Sequence, residues 1–327
     1  MATNLFRLQV EHIPLLKRFT EIRKVDPKEL ITWREIPAIP ISSFKDFELT
    51  SLPIEERRRF FISSGTTSSK RSKHFHNDAS IAVYETSLKE GFATHFRTCN
   101  RTIPQQLLSL TPTEEQAPNS SLVHMFRTLS IRFSETHFVG DKDASGNWIV
   151  NIDAAISTLE DGIRTKSPVL ITGTAFSYVH LLDQLAQRSL SFRLPEASMI
   201  LETGGYKGQS REIPKNDLHK MIQSTFGVPT DAILCEYGMS ELSSQAYCQG
   251  DQPFRFSPWS RAELISPETG KPVAEGETGL IRIVDLANIR STLSIMTEDL
   301  GILCDNGFKL LGRLPQAEAK GCSLSTG

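Results

Sequence analysis

The chain lacks any long hydrophobic run. No segment approaches the roughly 18 consecutive apolar residues that indicate a membrane-spanning helix. Residues Met1 to Val10 also lack the apolar stretch of a secretory signal. Both absences predict a cytoplasmic protein without a membrane span.

Cysteine is scarce and shows no motif. Five cysteines are present, and none of them belongs to a CxxC pair: Cys99, Cys235, Cys248, Cys304 and Cys322. An odd number without that spacing suggests neither a disulfide framework nor a zinc site. We expect most of them to be reduced residues of the core.

Charge of one sign does not dominate either. The net charge is −2 over 327 residues, so no global field attracts nucleic acid or an anionic membrane. Hydrophobic residues make up 39% and charged residues 23%, which is ordinary for a soluble globular protein. Basic residues cluster locally in 57–59 and in 70–73. The first cluster is typical of a solvated face, whereas the second adjoins a loop rich in hydroxyl groups.

That loop is the first feature that points to a ligand. A short apolar stretch, Phe60 to Ile62, runs into the sequence SSGTTSSK, which spans Ser63 to Lys70. Small residues allow backbone N–H groups to approach an anion, hydroxyl groups donate to it, and Lys70 adds a point charge. The loop therefore predicts phosphate binding, and the absence of GxxxxGK[ST] spacing argues against a P-loop NTPase.

The middle of the chain has an alternating pattern of strands and helices. Strands are predicted at 168–172, 198–201 and 231–235, with helices at 175–188 and from Pro214 to Gly227 between them. This alternation predicts a parallel sheet with right-handed crossovers, in an α/β fold. Ligands of such sheets bind beyond the carboxyl ends of the strands, where the turns at 204–205 and 236–238 fall.

Short strands separated by Gly, Pro and Asn-Gly turns follow from about residue 262, and they predict an antiparallel β subdomain. We expect four regions. Residues 1–50 form an N-terminal helical and extended segment, and residues 51–261 form an α/β core that binds the nucleotide and the acyl group. Residues 262–313 form the antiparallel subdomain, and residues 314–327 form a mobile tail.

Several sequence strings occur in a characteristic order: SSGTTSSK, EYGMSE at 236–241, TEDLG at 297–301 and LLGR at 310–313. In this order they resemble the adenylate-forming superfamily of acyl-CoA synthetases, firefly-type luciferases and adenylation domains. The strings PNSSLVHM, ETGGYKG and LLGRLPQAEAKGCSL are most similar to the acyl-protein synthetase family of bacterial bioluminescence. The resemblance extends from about Pro37 to the C-terminus.

This resemblance implies ATP-dependent activation of a carboxylic acid, plausibly a fatty acid. The acid would form an acyl-adenylate with release of pyrophosphate, and a protein thiol would then accept the acyl group. ATP and Mg²⁺ are the implied cofactors, and a reductase or carrier protein is the implied partner. Two alternatives stay open: a ligase of the phenylacetate–CoA type, and a nucleotide- or acyl-binding subunit without turnover.

The resemblance also implies roles for individual residues. Lys70, Ser240 and Glu241 would be catalytic, with Glu241 also holding Mg²⁺. Tyr237 would stack on adenine, and Asp299 would accept from the ribose. The residues implied in nucleotide binding are Ser63, Ser64, Gly65, Thr66, Thr67, Gly204, Gly205, Tyr237, Gly238, Asp299 and Arg313.

Most of these residues also have an ordinary structural explanation. Asp299 suits the cap of a turn, Tyr237 a buried strand end, and Glu241 and Arg313 a solvated surface. His124 and Ser121 are candidates for the carboxylate pocket, but a structural histidine and a helix cap are the alternatives.

The C-terminal region both fits and departs from the superfamily. Cys322, in KGCSLS, is at the place where the acyl-protein synthetases carry an acyl-accepting cysteine, and Lys320 would favour its thiolate. An unreactive tail cysteine is the alternative. Larger superfamily members continue into a lid domain with a catalytic lysine, whereas this sequence stops at Gly327, so we expect no full lid. CoA is for this reason the less favoured acceptor. The usual second glycine of the phosphate loop is replaced by Ser68 and Ser69.

Overall fold

The computed structural model describes residues 1–63, 70–143, 146–205, 213–305 and 307–314. Its helices are α1 Ala2–His12, α2 Pro14–Ile22, α3 Ser43–Asp46, α4 Asp78–Thr98, α5 Ser121–Ser130, α6 Ile152–Thr165, α7 Ala175–Gln187 and α8 Lys215–Phe226. Among these helices, none has the length and apolar character needed to cross a bilayer.

The strands follow in chain order. They are β1 Ile39–Pro40, β2 Arg59–Ile62, β3 Lys73–His76, β4 Gln106–Ser109, β5 Glu135–Phe138, β6 Gly140–Lys142, β7 Trp148–Val150, β8 Val169–Thr174, β9 Met199–Thr203, β10 Ile233–Tyr237, β11 Ala246–Gln249, β12 Arg255–Phe256, β13 Ser260–Ile265, β14 Thr278–Asp285, β15 Ser294–Cys304 and β16 Gly307–Arg313.

The central sheet has the order β12-β11-β10-β9-β8-β4-β5. Strands β5, β4, β8, β9 and β10 are parallel, and β11 and β12 extend the sheet in antiparallel pairing. Strands β4, β8, β9 and β10 are buried along their whole length because helices cover both of their faces, whereas the edge strand β5 is partly exposed. The predicted α/β fold class is confirmed.

Capping residues set where the helices on the two faces of the sheet begin and end. Helix α4 is capped by Asn77, whose side chain accepts from the backbone N–H of Ser80 at 2.9 Å. Helix α8 ends at Gly227, which has a φ of +68° that suits glycine. Helices α6, α7 and α8 pack on one face of the sheet, and α4 and α5 pack on the other. The predicted helix end at Gly227 is confirmed.

A second sheet is built from the C-terminal strands. Strands β13, β14, β15 and β16 are antiparallel neighbours, and β1 pairs in parallel with β15 through Ile39 and Ile295. Helices α1 and α2 contribute Phe6 and Leu16 to the core beneath this sheet. Buried Arg282 on β14 donates to the backbone oxygens of Trp33 and Arg34, at 3.1 and 2.9 Å. The N-terminal segment is thereby fixed to the last strands of the chain.

Candidate active site

A cleft of about 470 Å³ opens at the carboxyl ends of β8, β9 and β10. Each strand contributes its last cleft-facing residue: Thr174 from β8, Thr203 from β9 and Glu236 from β10. The second sheet closes one side with Asp299 and Arg313, which are direct cross-strand partners on β15 and β16. The cleft therefore lies where an α/β sheet ordinarily binds its ligand.

Many of the predicted site residues line this cleft although they are distant in sequence. Those that line it are Ser63, Ser121, Gly204, Gly205, Gly238, Ser240, Glu241, Asp299 and Arg313. The fold thus brings four separate motifs to one place.

The turn after β9 leaves an open wall. Gly204 has a φ of +66°, where a side chain would be strained. Among the described residues, no atom lies within 4 Å of a Cβ built on Gly204 or Gly205. Absence of side chains at these two positions leaves a flat surface next to the strand ends.

The turn after β10 is shaped by Glu236. A Cβ on Gly238 would lie 2.3 Å from Oε1 of Glu236, so only glycine fits beside this carboxyl group. Burial raises the pKa of Glu236 to about 7, although the hydrogen bond that Thr203 donates to it acts to lower the pKa. The group is consequently close to half protonated at neutral pH and can act as both donor and acceptor.

Glu241 is held inside the cleft by two hydroxyl groups. Ser72 on the segment before β3 donates to its Oε1, and Ser240 donates to its Oε2 at 2.9 Å. Its side chain is buried, yet it borders the cleft. A carboxylate that faces a cleft with hydroxyl groups around it is a donor set that fits Mg²⁺.

The loop that carries Glu241 is anchored from the second sheet. Asp285 accepts from the backbone N–H of Ser243 at 2.9 Å and from the Ser244 hydroxyl at 2.7 Å. Asn288 donates to the backbone oxygen of Glu241 at 2.9 Å. Burial raises the pKa of Asp285, and these donors oppose the rise. The two sheets are therefore joined at the loop that carries the Glu241 carboxylate.

Tyr237 is positioned differently from the prediction. Its ring is buried among Phe254, Phe256 and Phe308, with centroid distances of 6.0, 6.5 and 5.3 Å. Its hydroxyl donates to Oδ2 of Asp299 at 2.8 Å. Side chains alternate along β10, and Tyr237 follows Glu236, so its ring points to the opposite face. The ring does not line the cleft, and the expected stacking on adenine is replaced by orientation of Asp299.

Asp299 combines burial with two partners. Burial raises its pKa, while the Tyr237 hydroxyl and the Arg313 guanidinium lower it. Nε of Arg313 lies 3.6 Å from Oδ1, and the Arg313 side chain is 80% exposed, so it has room to contact a ligand. The pair offers one acceptor and one cation at the rim of the cleft.

The opposite rim is the N-terminus of α5. The Ser120 hydroxyl caps the helix by accepting from the backbone N–H of Val123 at 3.3 Å, and both Ser120 and Ser121 border the cleft. Lys45 on α3 and Ser63 after β2 also border it. A helix N-terminus with hydroxyl groups and a lysine favours an anion.

His124 is one layer behind the cleft and does not line it. Its Nδ1 lies 2.8 Å from Oε1 of Glu114, and its Nε2 lies 3.2 Å from Oε1 of Glu85. Arg59 also pairs with Glu114. The histidine ring packs on Tyr84, whose own ring does border the cleft, at a centroid distance of 5.8 Å. His124 does not line the cleft: it is a buried histidine in a polar group with the half-buried Arg59, Glu85 and Glu114, behind the pocket wall.

Lys70 lies outside the residues that line the cleft. Its Nζ is 3.2 Å from Oδ1 of Asp46, and its side chain is 69% exposed. The prediction that it grips phosphate is not matched by this position. The predicted phosphate-loop residues Ser64, Gly65, Thr66 and Thr67 and the predicted acyl acceptor Cys322 fall outside the described residues.

Several cleft residues were not predicted from the sequence. These are Lys45, Thr174, Thr203, Glu236, Gln245 and Glu298. For Thr174, Thr203 and Glu236 a signal existed, since each lies one or two residues beyond the end of a predicted parallel strand and strand ends form the ligand edge. Lys45 and Glu298 reach the cleft through contacts between remote segments, which no local pattern indicates.

Comparison with known proteins agrees with this geometry. A family model described as "Acyl-protein synthetase, LuxE" matches residues 3–327. The chain belongs to this family. The resemblance read from the sequence is confirmed, and with it the enzyme class, an AMP-forming acid–thiol ligase. Activation of an acid with ATP and transfer of the acyl group to a protein thiol is the activity of this family.

Two curated relatives are long-chain-fatty-acid–luciferin-component ligases. The relative from Aliivibrio fischeri is 24% identical over 308 residues, which cover 90% of this chain and 79% of the relative. The relative from Vibrio harveyi is 20% identical over 300 residues, which cover 89% and 77%.

Solved structures of adenylate-forming ligases share the fold. A 2-hydroxyisobutyryl-CoA ligase in complex with 2-HIB-AMP and CoA superposes with a TM-score of 0.71 at 12% identity, over 95% of this chain and 68% of that one. ATP-bound MatB from Rhodopseudomonas palustris has a TM-score of 0.54 at 17% identity, over 80% and 49%. The chain thus spans about half to two thirds of the length of these structures.

Proposed function

We propose that this chain activates a long-chain fatty acid with ATP in the cleft and passes the acyl group to a protein thiol. The observation that carries the proposal is the convergence of Gly204–Gly205, Ser240–Glu241 and Asp299 with Arg313 around one cleft. Family membership and the names of the two curated relatives favour a fatty acid as the substrate. ATP as co-substrate favours a cytoplasmic location.

The nucleotide is assigned to the side of the cleft formed by the two glycines and the second sheet. The flat turn at Gly204–Gly205 accommodates the purine, and Asp299 accepts from the ribose hydroxyl groups. Arg313, cross-strand to Asp299, is placed to contact the ribose or a phosphate. The N-terminus of α5 and Lys45 are placed to attract the phosphates.

Mg²⁺ is assigned to Glu241. Among the described residues, the cleft carries the carboxyl groups of Glu236, Glu241, Glu298 and Asp299 and the cationic side chains of Lys45 and Arg313, so a triphosphate favours a bound cation there. Bound Mg²⁺ would neutralise phosphate charge during the displacement. Ser72 and Ser240 hold the Glu241 carboxylate in place for that task.

The acyl chain is assigned to the apolar side of the cleft. Its walls are Ile41, Ile62, Tyr84, Leu122, Met125 and Met239. A carboxylate oxygen at their polar end attacks the α-phosphorus, and the bond from that phosphorus to the pyrophosphate oxygen breaks. In the second step a thiolate attacks the acyl carbon, the bond from that carbon to the AMP oxygen breaks, and the thiol proton passes to solvent.

ATP–pyrophosphate exchange over a panel of fatty and aryl acids tests the first step. We expect exchange only with acids of long alkyl chain. Absence of exchange with every acid, in folded protein with Mg²⁺, would favour the binding-subunit alternative.

Acyl transfer tests the second step. With radiolabelled fatty acid and ATP, we expect hydroxylamine-sensitive label on the protein, lost in Cys322→Ser and retained in the control Cys304→Ser. The label should then pass to a reductase or carrier protein. Label found only in free CoA would establish the CoA-ligase alternative instead.

A further inference from the structure

A group of metal-binding side chains lies on the face of the central sheet opposite the cleft. In the strand register, Cys235 on β10 is paired with Glu202 on β9 and with Cys248 on β11. Side chains alternate along a strand, so Glu202 and Cys235 face away from the cleft that Thr203 and Glu236 line. His219 of α8 packs over this row. We name these four residues, Glu202, His219, Cys235 and Cys248, the back-face cluster.

The distances within the cluster match a metal site. Nε2 of His219 lies 3.5 Å from Oε2 of Glu202 and 3.8 Å from Sγ of Cys235. The three ligand atoms all lie within 4.8 Å of one another. Around tetrahedral Zn²⁺, with bonds of about 2.0–2.3 Å, nitrogen–oxygen and nitrogen–sulfur edges are about 3.3 and 3.6 Å. These three atoms therefore already lie close to three corners of a zinc tetrahedron.

Cys248 is placed to provide the fourth ligand. It is the direct cross-strand partner of Cys235, so the two side chains lie on the same face of the sheet. A site with two cysteines, a histidine and a carboxylate uses only ligands that Zn²⁺ accepts.

Burial and charge also favour a bound metal ion at the back-face cluster. All four side chains are at most 8% exposed, and ionised groups at that depth require compensation. The positive charge of Lys215, at the start of α8, is close enough to interact with Cys235, Cys248 and Glu202. Bound Zn²⁺ together with Lys215 would balance the three negative charges of two thiolates and a carboxylate.

We propose that the back-face cluster is a structural Zn²⁺ site that fixes α8 to β9, β10 and β11 behind the cleft. Its ligands come from positions 202, 219, 235 and 248, and this spacing contains no short CxxC or HxxxH motif. For that reason the sequence pattern did not indicate a zinc site.

The test uses the purified full chain, stripped with a chelator, loaded with Zn²⁺ and desalted. Elemental analysis should find one zinc per chain, and Co²⁺ in place of Zn²⁺ should give thiolate-to-metal absorption. His219→Ala and Cys235→Ser should each lower retained zinc by about 10-fold or more. The matched controls, exposed His137→Ala and Cys304→Ser, should retain it.

Lys215→Gln keeps every ligand and removes only the neighbouring ammonium. We expect it to fold and to bind Zn²⁺ about 10-fold more weakly in competition with a chelator. If ligand variants do not fold, the Co²⁺ spectrum of the unmodified chain decides. A folded chain that takes up no zinc and shows no thiolate absorption with Co²⁺ overturns the proposal, as does equal zinc retention in all variants.

Discussion

Tyr237 acts on the cleft through its hydroxyl group and not through its ring. The ring is buried among phenylalanines, and the hydroxyl fixes the carboxyl group of Asp299. We predict that Tyr237→Phe leaves the melting temperature nearly unchanged and raises the KM for ATP about 10-fold. A hydrogen bond to a charged group contributes about 1.5–3 kcal/mol, which is consistent with that change.

Steady-state kinetics of pyrophosphate exchange measure this effect. Phenylalanine has an aromatic face equal to that of tyrosine, so stacking on adenine would survive the substitution. An unchanged KM for ATP in Tyr237→Phe would therefore contradict the role given to the hydroxyl.

Glu241 is the residue whose charge matters most for the proposed chemistry. In Glu241→Gln one oxygen still accepts from a serine hydroxyl, but the negative charge that would hold Mg²⁺ is lost. We predict that Mg²⁺-dependent exchange falls about 100-fold, the order seen when one electrostatic contact is removed from an active site.

Thermal melting, measured beside exchange, separates this role from a structural one. The exposed Glu268→Gln is a matched control and should retain full exchange. A collapse of the melting temperature in Glu241→Gln, with exchange per folded molecule unchanged, would mark Glu241 as a structural residue.

The residues that were predicted correctly to line the cleft are those whose backbone position decides their direction. Asp299 and Arg313 are cross-strand partners, and Gly204 and Gly205 form a strand-end turn, so motif order was sufficient. His124 differs because its destination depends on Glu85 and Glu114, which are remote in sequence or pattern. Side chains whose partners are set by tertiary packing cannot be placed from sequence spacing.

The turn after β9 is the element that leaves room for a ligand. A Cβ on Gly205 would meet no atom of the described residues within 4 Å, so we expect the fold to tolerate alanine there. We predict that Gly205→Ala melts like the parent protein but has a several-fold higher KM for ATP, because the methyl group intrudes on the assigned purine surface.

Gly238→Ala provides the contrasting variant. Its Cβ would lie 2.3 Å from a carboxylate oxygen of Glu236, so this substitution must displace Glu236 and lower stability as well. Unchanged ATP kinetics in Gly205→Ala would move the purine away from this turn.

Secondary-structure elements were easier to predict than the order and pairing of the strands in the two sheets. Strands β8, β9 and β10 and the helices between them follow from apolar periodicity and from caps such as Gly227. Strand β11 pairs with β10 in antiparallel orientation, and β1 pairs with β15 in parallel. Both pairings depend on which strand edges the rest of the fold leaves open. Such choices are made by packing over the entire chain.

At the scale of the whole molecule, two buried histidines link stability to pH. His74 and His76 on β3 are at most 2% exposed, and their rings are 4.4 Å apart. Burial lowers the pKa of His74 to about 4 and that of His76 to about 2. Within the described residues, Nε2 of His76 has no hydrogen-bond partner.

Both groups therefore stay neutral in the folded state and bind a proton only after unfolding. As pH falls below the ordinary value of 6.5, the unfolded state takes up more protons, so the free energy of unfolding decreases between pH 6.5 and about 4. We predict a contribution of up to about 1.4 kcal/mol per pH unit from each histidine.

Urea unfolding at pH 7 and pH 5.5 measures this slope. The double variant His74→Gln and His76→Asn should lose less stability on acidification than the parent protein, whereas the exposed His137→Gln should behave like the parent. Equal pH dependence in the double variant and the parent would contradict the prediction.

The pairing of β1 with β15 has a consequence for synthesis on the ribosome. Ile39 is synthesised about 256 residues before its partner Ile295, so β1 remains without β15 in the nascent chain during that interval. At about 5–20 residues per second the delay is on the order of 10–50 s. Nascent chains therefore cannot complete the second sheet, or bring Asp299 and Arg313 to the cleft, until Arg313 has been synthesised.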